Sequence, residues 1–280
     1  MERALVCINV NRYMRMLQGG ILILSLLILN AFHFSYTNIV HATDATSQTW
    51  QAAASCSGPS QLNSKSLLVV LLDRSGSLVA GDKPTDPDLY STSVTRALAD
   101  LWLGNIAVIP FGNDQANVLG NRVFPHSDIN ALITLKGLIP EPDPNADAPL
   151  GLAMANAQML FLQQGVTPCS KVVLITDGQL TGPQARVDDI NNTFTPWFAS
   201  QGIPIYAFAL KLDLSSPNGH NTDILLSHIT SATNGQYIPV VNTPDLASGV
   251  IGLYSSWKGL SFTPIVENQQ NGNYAYHSHK

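Results

Sequence analysis

The sequence is poor in charged residues, and in basic residues above all. Only 14 of the 280 residues are lysine or arginine, they are scattered along the chain, and the net charge is -5. Nucleic-acid binding needs clustered lysine and arginine to neutralise phosphates, so nucleic acid is not expected as a partner. Hydrophobic residues make up 45% of the chain, which predicts that most of it packs into a globular core.

The motifs of common hydrolases are also missing. The sequence contains neither a G-x-S-x-G nucleophile elbow nor a phosphate-cradling glycine-rich loop. Phosphoryl-transfer hydrolases place a second acidic residue two positions after a strand-terminal aspartate, but the residue two positions after Asp73 is Ser75. We therefore predict that the protein is not an enzyme, with a metal-dependent hydrolase as the alternative.

The N-terminal segment has the order of features found in export signals. Arg12 and Arg15 precede an apolar run over residues 21–34, and a small-residue pattern follows that a signal peptidase would cut after Ala42. The run is shorter than the roughly 20 apolar residues of a membrane-spanning helix. Residues 1–42 are predicted to be a signal peptide of a secreted or extracytoplasmic protein. An uncut anchor, with membrane contact only in that case, is the alternative.

Cysteine is scarce, with three residues in the whole chain. Cys7 lies in the predicted signal, so an even pair, Cys56 and Cys169, remains in a compartment where disulfides persist. Two free buried thiols are the alternative.

Apolar runs alternate with segments of helical period after a polar stretch over residues 43–65. An apolar run without polar alternation is typical of a strand that is covered on both faces. Such runs occupy residues 67–72, 106–111, 172–175 and 203–210, with a short final strand at 237–238; helical segments occupy 91–103, 149–162, 223–231 and 245–257. This order predicts an α/β domain over residues 66–258, with a doubly wound, mainly parallel sheet and helices on both faces. Residues 259–280 are polar and are predicted to be a tail or the start of a truncated further region.

Two acidic loops follow predicted strands. The first strand runs into Asp73, Ser75 and Ser77, and the strand at 172–175 is followed by Asp177. The carboxyl ends of parallel strands share one edge of the sheet, where ligands of open α/β folds bind. Carboxylate and hydroxyl oxygens suit a hard cation such as Mg²⁺ or Ca²⁺. Capping of a turn or helix is the alternative role of the two serines.

These motifs resemble the von Willebrand factor type A family and its metal-ion-dependent adhesion site. The resemblance covers most of the chain after the signal, through residues 67–77, 149–153, 172–178, 205–210 and 225–237. It implies a Rossmann-like fold in which Asp73, Ser75 and Ser77 bind the metal and Asp177 binds it directly or through water. Mg²⁺ is the expected cation, with Ca²⁺ and Mn²⁺ as alternatives.

One position departs from the family's pattern. The family supplies a threonine hydroxyl just before the helix that here begins near Pro149, whereas this sequence has Ala148. Alanine offers no side-chain oxygen, so the site loses a ligand. The neighbouring Asp147 is predicted to replace it, and a solvated loop carboxylate is the alternative role.

The resemblance also implies a function and a disulfide. The function is metal-bridged, adhesion-like binding of a protein partner that offers an acidic residue; a structural scaffold of an envelope complex, with a degenerate or metal-free site, is the alternative. In the family's sheet the strand beginning near residue 67 neighbours the strand that ends before Asp177. The start of the second strand then brings Cys169 near the segment that carries Cys56, and a disulfide between them is predicted at the edge opposite the metal.

Overall fold

The computed structural model describes residues 66–167, 169–178, 180 and 185–257. All of them belong to one compact unit of the chain. The predicted signal peptide, the polar segment with Cys56 and the predicted C-terminal tail lie outside the described residues.

A seven-stranded, mainly parallel sheet forms the centre of the domain, as predicted. Its strands are β1 (Leu67–Asp73), β2 (Asn105–Gly112), β3 (Gln115–Ala116), β4 (Phe124–Pro125), β5 (Lys171–Thr176), β6 (Ile205–Leu210) and β7 (Gln236–Val240). The strand order is β3-β2-β1-β5-β6-β7, and β4 also pairs with β2. Only β3 and β4 run antiparallel to their neighbour β2.

Six helical elements connect these strands. They are α1 (Tyr90–Leu101), α2 (Ile129–Leu138), α3 (Leu150–Gln164), α4 (Val187–Asp189 with the π-helical Ile190–Phe194 and Thr195–Ser200), α5 (Pro217–Ala232) and α6 (Asp245–Trp257). Short 3₁₀ turns cover Gly76–Leu78 and Leu119–Asn121. None of the helices within the described residues is both long and apolar enough to span a membrane.

Helices cover both faces of the sheet, which explains the unbroken apolar strands. All seven residues of β1 are buried. Val70 and Leu72 belong to a core cluster with α1, α2 and α6, whereas Val69 and Leu71 belong to a second cluster with α3, α4 and α5. Because successive side chains of a strand point to opposite faces, β1, β2, β5 and β6 each contribute to both clusters.

The strand order places a crevice at the carboxyl end of β1. β1 pairs with β2 on one side and with β5 on the other, so the chain changes direction across the sheet between β1 and β5. Leu72 of β1 lies opposite Ile175 of β5, which brings the loops after Asp73 and Thr176 to the same edge. Open α/β sheets bind ligands at such a switch point.

Several elements were not predicted from the sequence. β3 and β4 have two residues each, too few to show a period. The helix α2 buries Ala131, Leu132 and Leu135 but leaves Ile129 and Ile133 exposed, so its apolar residues do not mark one face. α4 contains a π-helical turn that breaks the 3.6-residue period.

Candidate metal site

Asp73 is the last residue of β1, and its carboxylate is almost fully buried, at 1% exposure. One carboxylate oxygen accepts a hydrogen bond from the Ser75 backbone N–H at 2.7 Å. The other accepts one from the Thr176 hydroxyl at 2.6 Å. The Thr176 hydroxyl in turn accepts from the Gly178 N–H at 2.9 Å. These bonds fix the Asp73 carboxylate between the loops after β1 and β5.

The two predicted serine ligands lie side by side. The hydroxyl oxygens of Ser75 and Ser77 are 3.1 Å apart. Between them, the Gly76 N–H donates to the Ala146 carbonyl at 2.9 Å, and a Cβ at Gly76 would overlap the Pro144 carbonyl oxygen. Glycine is therefore required where the loop after β1 packs beneath the loop before α3.

Asp177 lies on the same crevice and is also buried, at 2% exposure. Its Oδ2 accepts a hydrogen bond from the Thr85 hydroxyl at 2.9 Å. Its negative charge raises the pKa of Asp73, so the two carboxylates interact across the crevice. The structure thus brings Asp73, Ser75, Ser77 and Asp177 into one network, joined by Thr85 and Thr176.

The electrostatics of this network favour a cation. Burial raises the pKa of Asp73 to about 7, and the charge of Asp177 adds to the shift. The groups that lower it, Thr176 and Ser75, are neutral hydrogen-bond donors. A buried carboxylate of this kind is costly to ionise unless positive charge lies nearby. The oxygen-only donors of Asp73, Ser75, Ser77 and Asp177 fit a hard divalent cation.

In metal-free protein, the free energy of unfolding is expected to fall as the pH rises from about 4 to about 7. In this window the buried Asp73 holds a proton that the unfolded chain has already released, because its folded pKa of about 7 exceeds the unfolded value. Stability is therefore highest at the acid end and declines through pH 7, by on the order of a few kcal/mol. Urea denaturation in EDTA at a series of pH values measures this free energy of unfolding.

The variant Asp73→Asn is the matched control for this pH dependence. Asparagine keeps the size of the side chain and cannot ionise, so the decline in stability is expected to be largely lost. A wild-type protein whose stability declines no more than that of the variant would show that Asp73 ionises normally in the folded state.

Asp147 lies in a different group of contacts. Its Oδ1 accepts a hydrogen bond from the Asp114 N–H at 2.9 Å, and a hydrogen bond between the two side chains raises the pKa of Asp114. Within the described ranges no three acidic, histidine or cysteine side chains gather closely enough to hold a metal. Asp147 thus does not join Asp73 and Asp177 in a three-carboxylate cluster. The adjacent Ala148 is fully buried and packs in the core cluster beneath α3.

Sequence reasoning assigned no role to two threonines of the network. Thr176 belongs to the motif that contains Asp177. Its position at the end of a predicted strand is the sequence feature that could have indicated a role for Thr176 in the site. Thr85 lies in the long loop before α1 and reaches Asp177 only through the tertiary fold. No local pattern marks Thr85.

Cys169 lies at the other end of β5 from Asp177. It is buried and disulfide-bonded. Its predicted partner, Cys56, lies outside the described residues, so the pairing of Cys56 with Cys169 stays a prediction.

Comparisons with known proteins identify the fold. No family model and no curated protein matches the sequence. Among solved structures, the chain is similar to a von Willebrand factor type A protein from Catenulispora acidiphila, with 16% identity and a TM-score of 0.50 over 70% of this chain and 43% of that one. It is also similar to the pilus adhesin SpaC from Lactobacillus rhamnosus GG, with 10% identity and a TM-score of 0.53 over 70% of this chain and 30% of that one.

The chain spans less than half the length of either protein. At these identities the similarity concerns the backbone architecture. The parallel sheet, its covering helices and these structural relatives together show that the chain has the von Willebrand factor type A fold.

Proposed function

We propose that the protein is an exported, non-enzymatic binding module that engages a partner protein through a divalent cation. Asp73, Ser75, Ser77 and Asp177 would hold the cation, with Mg²⁺ expected. The observation that carries this proposal is the convergence of the buried Asp73 and Asp177 carboxylates with the paired Ser75 and Ser77 hydroxyls at one edge of the sheet. The raised pKa of Asp73, caused by burial and by the charge of Asp177, is consistent with it. A cation would supply the positive charge that ionisation of this group requires.

The cation would keep open coordination for a ligand from the partner. An acidic side chain is the ligand that matches it, because hard divalent cations prefer carboxylate oxygens. A partner protein with an exposed aspartate or glutamate is therefore proposed. That one solved protein with this fold is a pilus adhesin supports adhesion as the class of function.

Export is supported by the cysteine chemistry as well as by the predicted signal over residues 1–42. Cys169 is disulfide-bonded, and disulfides persist in oxidising compartments. We accordingly propose a secreted or extracytoplasmic location, with residues 66–258 as the binding domain.

The function is tested by capture of partners from an envelope extract. Immobilised wild-type protein is expected to retain a partner in Mg²⁺ and to release it in EDTA, and Asp73→Ala is expected to retain none. Asp188→Asn, which removes an exposed carboxylate on α4, serves as the control. Retention that is equal with Mg²⁺ and with EDTA would contradict metal-bridged binding.

The alternative function is a structural scaffold in which the metal only stabilises the loops. Ala148, in place of a hydroxyl residue, favours this alternative. A scaffold would show a melting temperature that falls with EDTA while partner binding stays unchanged. The melting temperature and the partner-capture assay, each with and without EDTA, together distinguish a scaffold from a metal-bridged binding module.

We expect Ala148→Thr to tighten cation binding by several-fold, because it restores the hydroxyl that the resemblance to the von Willebrand factor type A family places at this position. Ala148 is fully buried, so the larger side chain is also expected to cost about 1 to 3 kcal/mol of stability through overpacking. Calorimetric titration with Mg²⁺ measures the affinity, and thermal unfolding in EDTA measures the packing cost. Ala148→Val, which adds similar bulk without the oxygen, should show the packing cost alone; equal affinities for the two variants would contradict the prediction.

A further inference from the structure

A hydroxyl group approaches the crevice from a loop that sequence reasoning did not consider. Thr85 follows the 3₁₀ turn Gly76–Leu78 and precedes α1, and it is 9% exposed. We propose that Thr85 supplies the hydroxyl ligand that Ala148 cannot supply. This inference rests on the proposed function, because it concerns the same cation.

The oxygen spacing fits a shared ion. Thr85 Oγ1 lies 2.9 Å from Asp177 Oδ2, and the Ser75 and Ser77 hydroxyl oxygens are 3.1 Å apart. Neighbouring ligand oxygens around octahedral Mg²⁺, each about 2.1 Å from the ion, are about 3 Å apart. Within each pair, the two oxygens thus have the spacing of neighbouring ligands of one ion, and the Thr85 hydroxyl connects the pairs through its contact with the Ser77 carbonyl oxygen.

The Thr85 hydroxyl also has a second acceptor for its proton. Its Oγ1 lies 3.3 Å from the Ser77 carbonyl oxygen as well as 2.9 Å from Asp177 Oδ2. A hydroxyl that binds a cation must direct its hydrogen away from the ion and toward another acceptor. In metal-free protein the hydrogen goes to Asp177; with a cation present, it would turn to Ser77 and leave the oxygen lone pairs facing the ion.

The backbone around Thr85 is held in place from two sides. Its N–H donates to the Ser77 carbonyl at 3.2 Å, and its own carbonyl accepts from the Thr243 hydroxyl at 2.6 Å. The next residue, Asp86, accepts from the N–H groups of Tyr90 and Ser91 at the start of α1, each at 2.8 Å. The hydroxyl is thus preorganised, which is what a ligand group requires.

The test measures Mn²⁺ affinity of the full-length protein by calorimetry, with the melting temperature in EDTA recorded for each variant. Thr85→Val keeps the shape of the side chain and removes the hydroxyl, and it is expected to weaken Mn²⁺ binding at least tenfold. Thr85→Ser keeps the hydroxyl and should bind close to the wild type. The control is Thr95→Val, which removes a buried hydroxyl that bonds Ser91 within α1; its affinity should not change.

A double variant separates a ligand from a merely structural hydroxyl. Ala148→Thr is expected to raise Mn²⁺ affinity by a larger factor in the Thr85→Val background than in the wild type, because only there does the new hydroxyl replace a missing ligand. An equal factor in both backgrounds would indicate a structural hydroxyl and overturn the inference. Wild-type affinity in Thr85→Val, or an equal loss in Thr85→Ser, would overturn the inference and leave the proposed function standing. A wild-type protein that shows no Mn²⁺ binding would overturn both.

Discussion

Asp73→Ala is expected to abolish binding of Mg²⁺, Ca²⁺ and Mn²⁺ at millimolar concentrations. The reason is that Asp73 lies between the two loops that form the crevice and contacts both of them, through the Ser75 N–H and the Thr176 hydroxyl. Removing it takes away a charged ligand and the group that orients both loops. Calorimetric titration of the wild type and the variant measures the effect.

The same change is expected to leave metal-free protein folded, because relief of the repulsion between two buried carboxylates offsets part of the cost of the two hydrogen bonds that it removes. A cooperative unfolding transition in EDTA checks that the variant is folded. Asp100→Asn, which removes the exposed partner of Lys136, is the control and should bind cations normally. Titrations that show no heat for the wild type with any of the three cations would reduce the proposal to a metal-free scaffold.

Cys169→Ser is expected to lower the free energy of unfolding by roughly 4 to 5 kcal/mol. The predicted bridge to Cys56 closes a loop of roughly 100 residues or more, and cross-links of that length remove the most entropy from the unfolded chain. Cys169 lies just before β5, at the edge of the sheet opposite Asp177. β5 pairs with β1. Leu68 of β1 lies opposite Lys171 of β5, so β1 begins at that same edge.

Peptide mapping without reductant should find Cys56 joined to Cys169. Cys7→Ser is the control: it is expected to leave both the bridge and the unfolding free energy unchanged, because Cys7 lies in the predicted signal. A bridge between Cys7 and Cys169, or two free thiols in the secreted protein, would contradict the pairing.

The parallel sheet was predictable because its strands are buried on both faces. Residues 67–72 and 172–175 contain only apolar side chains, and each run leads to an aspartate where the chain leaves the core. Strand adjacency then places Asp73 and Asp177 at one edge. This part of the site follows from burial, which the apolar runs record, and from the strand adjacency that the family resemblance implies.

The remaining parts depend on tertiary contacts that leave no local pattern. Thr85 belongs to a loop without hydrophobic period, and only the folded chain brings its hydroxyl to Asp177. The sequence points to Asp147 only through its place beside Ala148, and adjacency in sequence does not set the direction of a side chain. The turn after β2 brings the Asp114 N–H to Asp147 and fixes that direction.

The borders of the described sheet restrict how a partner can attach. One border consists of β3 and β4, which both pair with β2 and have two residues each. The other is β7, with five residues that include the exposed Pro239. Proline has no N–H to offer a further strand, and such short borders discourage both aggregation and the addition of an extended peptide to a sheet. Screens for partners should therefore use folded proteins with acidic loops instead of libraries of unstructured peptides.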